Sequence, residues 1–250
     1  MVFDKIFSVI SFLTIIPTRS RKYEIEYIAK NMYLFPIAGL IIGVIVGLIS
    51  LVISDHVNGF LLGFIIAVVL FGLTGLHHTD AISDLADGLM VKGSKEDKHR
   101  AMADPRNGTA GSVTIVFYII GIIILVSQVS DKLQLFSLII IAEILSKYSM
   151  VLQCYLGKSA WEGLNTIFIV EMKNKKKIII STILVVVLLI IFGLNISQLI
   201  ISIIGMLFVT LVLLLISYRS LGGVSGDTIG ASNEISRFFI YFMYVILVNR

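Results

Sequence analysis

Apolar runs about as long as a bilayer is thick recur along this chain and restrict what it can fold into. A transmembrane helix needs about 20 predominantly apolar residues. The runs that approach this length are Leu34–Ile53, Gly59–Leu76, Val113–Val129, Leu133–Leu156, Ile178–Leu194 and Leu199–Ser217. Hydrophobic residues make up 57% of the chain and charged residues 14%, and no polar half stands apart as a soluble domain. The sequence therefore predicts an all-α polytopic membrane bundle that forms one domain, residues 1–250, in a lipid bilayer.

Two shorter apolar runs lie near the ends of the chain. Phe238–Val248 is either a seventh span or an interfacial helix, so six to seven transmembrane helices are expected. Ile6–Ile16 is too short to span and ends at Pro17. No small-residue cleavage site follows it, which argues against a cleaved signal peptide. We expect residues 1–30 to form an N-terminal interfacial segment that lies on the membrane surface or re-enters it.

Basic residues orient the predicted bundle. They concentrate in residues 1–30 and in the loops after the second and fourth spans, whereas the alternate connections are almost free of Lys and Arg. Because cytoplasmic loops carry the Lys/Arg excess, these polar segments and residues 218–237 are predicted to face the cytoplasm from the cell membrane. The formal net charge of +4 is thus explained by topology and gives no signal of nucleic-acid binding. A single cysteine, Cys154, excludes an intramolecular disulfide.

An acidic segment within residues 77–111 is the most distinctive polar feature. Asp80, Asp84 and Asp87 are spaced i, i+4, i+7, so on a helix they share one face, with no Lys or Arg between Gly75 and Val91. Three carboxylates stacked in this way repel one another unless a cation lies between them. Oxygen ligands without thiolates indicate Mg²⁺ or Mn²⁺. His78 is either a structural histidine or a contact to substrate.

Two glycine-containing segments lie at the predicted cytoplasmic face as well. The first carries Asp104, Arg106, Gly108 and Gly111; glycine backbone can approach phosphate oxygens closely, and arginine binds them with two hydrogen bonds. The second occupies residues 218–235, next to the end of a span. Its glycines and polar residues are typical of either a binding loop or a structural turn. Its candidate residues are Gly222, Gly223, Asp227, Asn233 and Glu234.

Two patterns inside the spans have structural interpretations. Gly39, Gly43 and Gly47 lie four residues apart, which predicts a face where another helix packs closely. Glu143 and Lys147 are spaced i, i+4 and are expected to pair. An ionisable residue within a span is also a candidate functional residue, and Lys147 lies toward the cytoplasmic half of its span.

Taken together, these segments resemble the cobalamin synthases (adenosylcobinamide-GDP ribazoletransferases). The resemblance rests on elements that run in order along nearly the whole chain: Thr14-Ile15-Ile16-Pro17-Thr18, Phe35-Pro36-Ile37-Ala38-Gly39, then His78, Asp80, Asp84, Asp87 and Gly88, then Met102, Asp104, Gly108 and Gly111, and finally Gly222 to Glu234. The chain departs from the family pattern at Ala81, where glycine is usual, at Ala103, where lysine is usual, and at Lys147, where arginine is expected.

The resemblance implies the last assembly step of the nucleotide loop of vitamin B12. In that reaction a hydroxyl of α-ribazole, or of its 5′-phosphate, attacks the phosphorus attached to cobinamide in adenosylcobinamide-GDP, and GMP leaves. Mg²⁺ would be held by Asp80, Asp84 and Asp87. Asp104 or Asp227 would complete the metal shell or act as base, while Arg106 and Lys92 would offset negative charge. The implied substrate contacts are His78, Gly108, Gly111, Gly222, Gly223, Asn233, Glu234 and Lys147.

Other functions fit the sequence less well. A CDP-alcohol phosphotransferase needs Ala-Arg shortly after its Asp-Gly, but Leu89-Met90 follows Gly88 here. A prenyltransferase has paired aspartate motifs in two loops, and the second loop here has only Asp227 and Glu234. A transporter is expected to carry its ionisable groups near mid-membrane, whereas most acids of this chain gather at one face.

Overall fold

Helices form almost all of the protein in the computed structural model, which describes residues 2–18 and 24–248. A short 3₁₀ turn at Met32–Leu34 leads into α3, and no strand occurs in the described part of the chain. The helices are α1 (Val2–Leu13), α2 (Ile25–Lys30), α3 (Phe35–Ile53), α4 (Gly59–Thr74), α5 (His77–Met90), α6 (Lys95–Met102), α7 (Thr109–Ser127), α8 (Lys132–Leu156), α9 (Leu164–Met172), α10 (Lys175–Phe192), α11 (Ile196–Ser220) and α12 (Gly226–Leu247).

Helix α8 is the centre of the bundle. In its most apolar 18-residue stretch 89% of the residues are buried, against 33% in α7 and in α11. Helices α3, α10, α11 and α12 pack around it. The outward faces of the surrounding helices expose large apolar side chains such as Phe117, Ile190 and Leu211. A core helix surrounded by others with apolar outer faces is the arrangement expected in lipid, where the solvent itself is apolar.

The predicted glycine face of α3 packs directly against α8. A Cβ on Gly39 would lie 2.4 Å from the backbone oxygen of Glu143, and one on Gly43 would lie 2.7 Å from the Cα of Ile140. A Cβ on Gly47 would lie 2.8 Å from the ring of Phe136. The backbones of the two helices therefore approach as closely as glycine permits, and the packing interpretation of this pattern is confirmed.

Four helical segments in the described residues are long and apolar enough to cross a membrane: Met32–Ile53, α7, α8 and α11. The pair α4 and α5 counts as a fifth if the two are taken as one bent span. Helix α10 covers the predicted span Ile178–Leu194 as far as Phe192, but it begins with three lysines. The run Phe238–Val248 falls in the second half of α12, whose first half is polar. All the predicted spans are largely helical, and their number of six to seven stays a prediction.

The helix in the predicted span Gly59–Leu76 ends two residues before the predicted boundary. Helix α4 stops at Thr74, because Gly75 and Leu76 adopt left-handed backbone conformations with φ of 71° and 64°. The chain then bends by 93° into α5. Glycine reaches this conformation readily, but a leucine there is unusual. The bend turns the acidic segment across the end of the bundle.

The polar segments gather at one end of the molecule, together with α5. The loop after α8 meets the loop after α11, where Val224 N–H donates to the oxygen of Lys158 (2.8 Å). In α6, His99 stacks on Trp161 with ring centroids 3.9 Å apart. Helix α1 contributes Val9, Ile10 and Leu13 to the core of the bundle. The N-terminal segment predicted to lie at the membrane surface includes three basic residues that lie outside the described residues: Arg19, Arg21 and Lys22.

Replacing Gly39 by alanine is expected to destabilise the protein, because the new methyl group would overlap the α8 backbone at Glu143. Overpacking of this kind costs about 1–3 kcal/mol. Gly72 is the matched control, since a Cβ there meets nothing within 4 Å. Thermal unfolding in detergent should show a lower Tm for Gly39→Ala and an unchanged or slightly higher Tm for Gly72→Ala. Equal Tm values for the two variants would contradict the close packing of α3 on α8.

Candidate active site

The acidic segment forms helix α5, as its spacing predicts, and it packs between α7 and α12. Ala81, Ile82 and Leu85 are buried against these neighbours. Asp80 is exposed, whereas Asp84 and Asp87 are partly buried. One face of α5 thus anchors the helix while the three carboxylates stay at the surface of the bundle end. This confirms that a helix brings the three aspartates to one face.

A fourth carboxylate, Asp227 in the first turn of α12, joins this acidic face. The pKa of Asp84 is raised to about 6, first by burial and then by the negative charges of Asp80, Asp227 and Asp87. Burial also raises the pKa of Asp227, and Asp80 adds to that effect. No lysine or arginine contributes to the shift of Asp84. A cluster in which neighbouring negative charges disfavour the ionisation of Asp84 is an environment that favours a bound cation.

The carboxylates are not arranged around one point. Within residues 2–18 and 24–248, no three His, Cys, Asp or Glu side chains are close enough to ligate one ion together as they stand. A divalent cation would therefore need rotamer changes to gather Asp80, Asp84 and Asp227, or would bind through fewer carboxylates and water. Mg²⁺ commonly keeps several waters and takes one or two carboxylates. The donor set fits that mode of binding.

Asp87 has a structural partner that the sequence did not suggest. Its Oδ2 accepts the N–H of Gly108 (2.8 Å) and its Oδ1 accepts the N–H of Gly111 (2.9 Å). The carboxylate thereby satisfies free amides at the N-terminus of α7, where negative charge is favoured. A Cβ on Gly108 would lie 2.3 Å from Asp87 Oδ1, so this glycine permits a close approach to the carboxylate. The two amides predicted to face a substrate phosphate donate to Asp87 in this structure.

Asp104 and Arg106 pair with each other. Arg106 donates from Nη2 to Asp104 Oδ2 (2.9 Å) and from Nε to Oδ1 (3.0 Å). This contact lowers the pKa of Asp104 to about 2. The described hydrogen bonds join neither residue to the carboxylates of α5. Lys92 is exposed in the connection between α5 and α6, while Lys98 donates to the oxygen of Val91 (2.7 Å) at the end of α5.

The glycines of the second segment shape a tight junction between loops. Gly222 has a φ of 86°, and a Cβ there would lie 2.8 Å from Lys95 Nζ. Gly223 packs against the backbone of the loop after α8, where a Cβ would lie 2.6 Å from the oxygen of Lys158. Ser225 then caps α12 by accepting the N–H of Thr228 (3.0 Å). This junction places Asp227 beside the acidic helix.

Beneath the acidic face lies a buried network of charged groups between α8 and α12. Arg237 binds both Glu143, with Nη2 to Oε2 at 3.0 Å and a second bond from Nε to Oε1, and Glu234. Lys147 Nζ lies 3.3 Å from Glu143 Oε2, so the predicted i, i+4 pair is confirmed. Tyr118 of α7 donates to Glu234 and accepts from Arg237. The four charged side chains are at most 1% exposed, and their two positive and two negative charges balance.

Asn233 connects this network to the acidic helix. Its Oδ1 accepts from Lys147 (2.7 Å), and its Nδ2 donates to Glu234 Oε1 (2.6 Å) and lies 3.3 Å from Nδ1 of His78. The predicted substrate residues Lys147, Asn233 and Glu234 are therefore buried partners of one another, and His78 is the member nearest the surface. Sequence reasoning missed Arg237 and Tyr118. The one available signal was that Arg237 lies three residues after Glu234, next to an apolar run.

A cavity of about 600 Å³ opens beside the acidic helix. His77, His78 and Asp227 contribute polar groups to its lining. Phe12, Phe35 and Phe168 contribute aromatic rings from three other helices, and nothing in their spacing along the chain indicates that they meet. Its volume lies within the range of small-molecule sites, about 300–1,000 Å³. The acidic face and the cavity share Asp227, which makes the pair a single candidate active site.

Comparison with known proteins supports the resemblance found in the sequence. Residues 5–245 match the family described as cobalamin-5-phosphate synthase. The chain belongs to this family. A protein of Methanocella arvoryzae named adenosylcobinamide-GDP ribazoletransferase is 30% identical over 241 residues, which cover 91% of this chain and 90% of the relative. A Clostridium tetani protein with the same name is 30% identical, with 96% and 95% covered. An Archaeoglobus fulgidus protein of that name is 31% identical, with 90% of each covered.

Membership of the cobalamin-5-phosphate synthase family makes this chain a transferase enzyme of cobalamin biosynthesis. Its apolar helices agree with a membrane protein. No solved structure gives a significant match to the chain.

The substitution Arg237→Met is expected to destabilise the protein strongly, since it leaves two buried carboxylates with Lys147 as their one cation. Breaking a buried ion pair from one side costs about 3–5 kcal/mol. Adding Glu143→Gln removes one negative charge and should recover part of this loss. A double-mutant cycle on the free energy of unfolding in detergent measures the coupling. Losses that simply add would show that the two side chains do not depend on each other.

Proposed function

We propose that this enzyme joins adenosylcobinamide-GDP to α-ribazole or α-ribazole 5′-phosphate with release of GMP, and that the reaction depends on Mg²⁺. Three findings support the proposal: the family, the names of its relatives, and an acidic face that adjoins a cavity of small-molecule size. The observation that carries it is the cluster of four carboxylates, Asp80, Asp84, Asp87 and Asp227, in which burial and the negative charges of the other three raise the pKa of Asp84 to about 6. A diphosphate cannot approach such a surface unless a cation neutralises it.

Displacement at a diphosphate depends mainly on positioning and on neutralising charge. A bound Mg²⁺ would supply charge stabilisation for the diphosphate and for the departing GMP. Asp80 and Asp84 would hold the ion together with water, which leaves Asp227 free to act as a base, and Asp87 would contribute less because both of its oxygens already accept amide N–H groups. Lys92, exposed next to α5, and Arg106 are the cations available to offset residual negative charge.

Between the two candidate bases, the structure favours Asp227. Asp104 is paired with Arg106 and has a pKa of about 2, so it accepts protons poorly near neutral pH. Asp227 has a raised pKa and lines the cavity. We assign to Asp227 the acceptance of a proton from the attacking ribose hydroxyl. His78, held by Asn233, would orient the substrate at the same place.

Replacing Asp84 by asparagine tests the proposed chemistry. Purified protein in liposomes is supplied with adenosylcobinamide-GDP, α-ribazole and Mg²⁺, and GMP release is measured. We expect Asp84→Asn to lower the rate at least about 100-fold, and EDTA to abolish release from the unmodified enzyme.

Asp55→Asn is the matched control, because Asp55 is an exposed aspartate between α3 and α4, paired with Lys132 far from the acidic face. Its rate should stay within about twofold. GMP release that survives loss of Asp84 would refute the metal assignment and leave the reaction standing. Failure of every well-folded sample to release GMP would refute the reaction.

We also propose that the active site faces the cytoplasm from the cell membrane. The Lys/Arg excess supports this orientation, since the loops at the acidic end carry most of it. Single cysteines at Ser94, beside α6, and at Ser130, between α7 and α8, lie exposed at opposite ends of the bundle. Cys154 is fully buried and does not compete for a labelling reagent. In intact cells a membrane-impermeant maleimide should label Ser130→Cys and spare Ser94→Cys. The reverse pattern would refute the orientation.

A further inference from the structure

The cavity beside the acidic helix has a lining that divides sharply by chemistry. Its titratable groups, His77, His78 and Asp227, come from the first turns of α5 and α12, while its aromatic rings come from α1, α3 and α9. Phe12 stacks on Phe168 with ring centroids 5.7 Å apart, and Phe35 lies 6.0 Å from Phe12 and 6.4 Å from Phe168. Aromatic groups that cluster in this way offer ring faces and edges to a flat aromatic ligand.

The charges around the cavity exclude a phosphate group from its interior. Among the described residues that line it there is no lysine or arginine, and Asp227 contributes a carboxylate. An anion inside would meet repulsion and no compensating cation. The cavity therefore suits an uncharged part of a substrate, with the phosphate chemistry placed outside it along the acidic face.

The proposed reaction offers three flat heterocycles of suitable size: the adenine and the guanine of the donor, and the base of the acceptor. Adenine, like guanine, carries hydrogen-bond donors and acceptors that aromatic walls would leave unpaired. Guanine carries several hydrogen-bond donors and acceptors around its ring, and those that face the aromatic walls of the cavity would stay unpaired at high cost. The amide nitrogen of Asn165, one of the few polar groups in the lining, already donates to Ser159 Oγ (2.7 Å) and to the oxygen of Val224 (3.0 Å). A benzimidazole has few polar atoms and buries mostly ring surface, so it fits this lining better.

We propose that this cavity is the acceptor subsite: it binds the benzimidazole-type base of α-ribazole among Phe12, Phe35 and Phe168, and directs the ribose toward Asp227. The inference rests on the proposed function, because it names which substrate occupies the cavity. It gives α1 and α9 a part in selecting the acceptor. It also explains why the base proposed above, Asp227, lies on the cavity wall and on the acidic face at once.

Gly226 provides the sharpest test. It lines the cavity, it is exposed, and a Cβ there meets nothing within 4 Å, so a larger side chain can enter the cavity without a clash at its first atom. Gly72 on α4 has the same exposure and the same open space but lies away from the cavity. Gly226→Leu is expected to raise the KM for α-ribazole about tenfold or more. The KM for adenosylcobinamide-GDP should change less than about twofold, and Gly72→Leu should change neither.

A binding measurement without turnover separates this inference from the proposed reaction. Benzimidazole is dialysed to equilibrium against the full-length protein in detergent, without adenosylcobinamide-GDP. We expect binding to the unmodified protein and to Gly72→Leu, and a loss of at least about tenfold in affinity for Gly226→Leu and Phe168→Ala. In turnover assays benzimidazole should compete with α-ribazole and not with the donor.

Each outcome bears on one proposal. Selective loss of benzimidazole binding in Gly226→Leu supports the acceptor subsite, whether or not GMP is released. Absence of GMP release refutes the proposed reaction and leaves the subsite standing. The subsite is overturned if the unmodified protein releases GMP but does not bind benzimidazole. It is also overturned if GMP displaces benzimidazole from the cavity, or if Gly226→Leu raises the KM of adenosylcobinamide-GDP and leaves that of α-ribazole unchanged.

Discussion

A charge buried in an apolar bundle needs a partner of opposite sign, and this requirement organises the centre of the protein. Glu143 and Lys147 lie on the most buried helix, α8, and Glu234 and Arg237 complete the set from α12. Removing any one of these side chains leaves the others with unbalanced charge in a low dielectric. The pairing therefore specifies how α8 and α12 face each other. Asn233 extends the same network to His78, so the acidic helix is positioned by contacts that begin in the core.

The bend after α4 brings the acidic helix, α5, across the end of the bundle. Gly75 and Leu76 turn the chain, so that α5 lies between α7 and α12 with its aspartates at the end of the bundle. Two strongly different environments then adjoin each other. One is a face of four carboxylates suited to a cation and a diphosphate, and the other is an apolar cavity suited to a flat, uncharged ring. Asp227 belongs to both, so the proton acceptance that we propose for it would take place where the two environments meet.

Several features could be predicted because they depend on local spacing. The aspartates at i, i+4, i+7 lie on one helical face, Glu143 pairs with Lys147 one turn away, and the glycines of α3 pack on a neighbouring helix. Others could not be predicted, because their partners are distant in the chain. Asp87 binds the amides of Gly108 and Gly111, and Tyr118 meets Arg237 more than a hundred residues away. The cavity joins rings from α1, α3 and α9, whose apolar residues look like ordinary core in sequence.

The sequence by itself determined the membrane-bundle class, the acidic helix and the family, since hydropathy, helical periodicity and ordered motifs are all properties of the linear chain. The tertiary structure decided which carboxylates stand in one another's field, which charged residues are buried partners rather than surface groups, and where a cavity opens. The physical reason is that burial and electrostatic interaction depend on distances in space. Residues such as Asp84 and Asp227 come together only when α5 packs against α12.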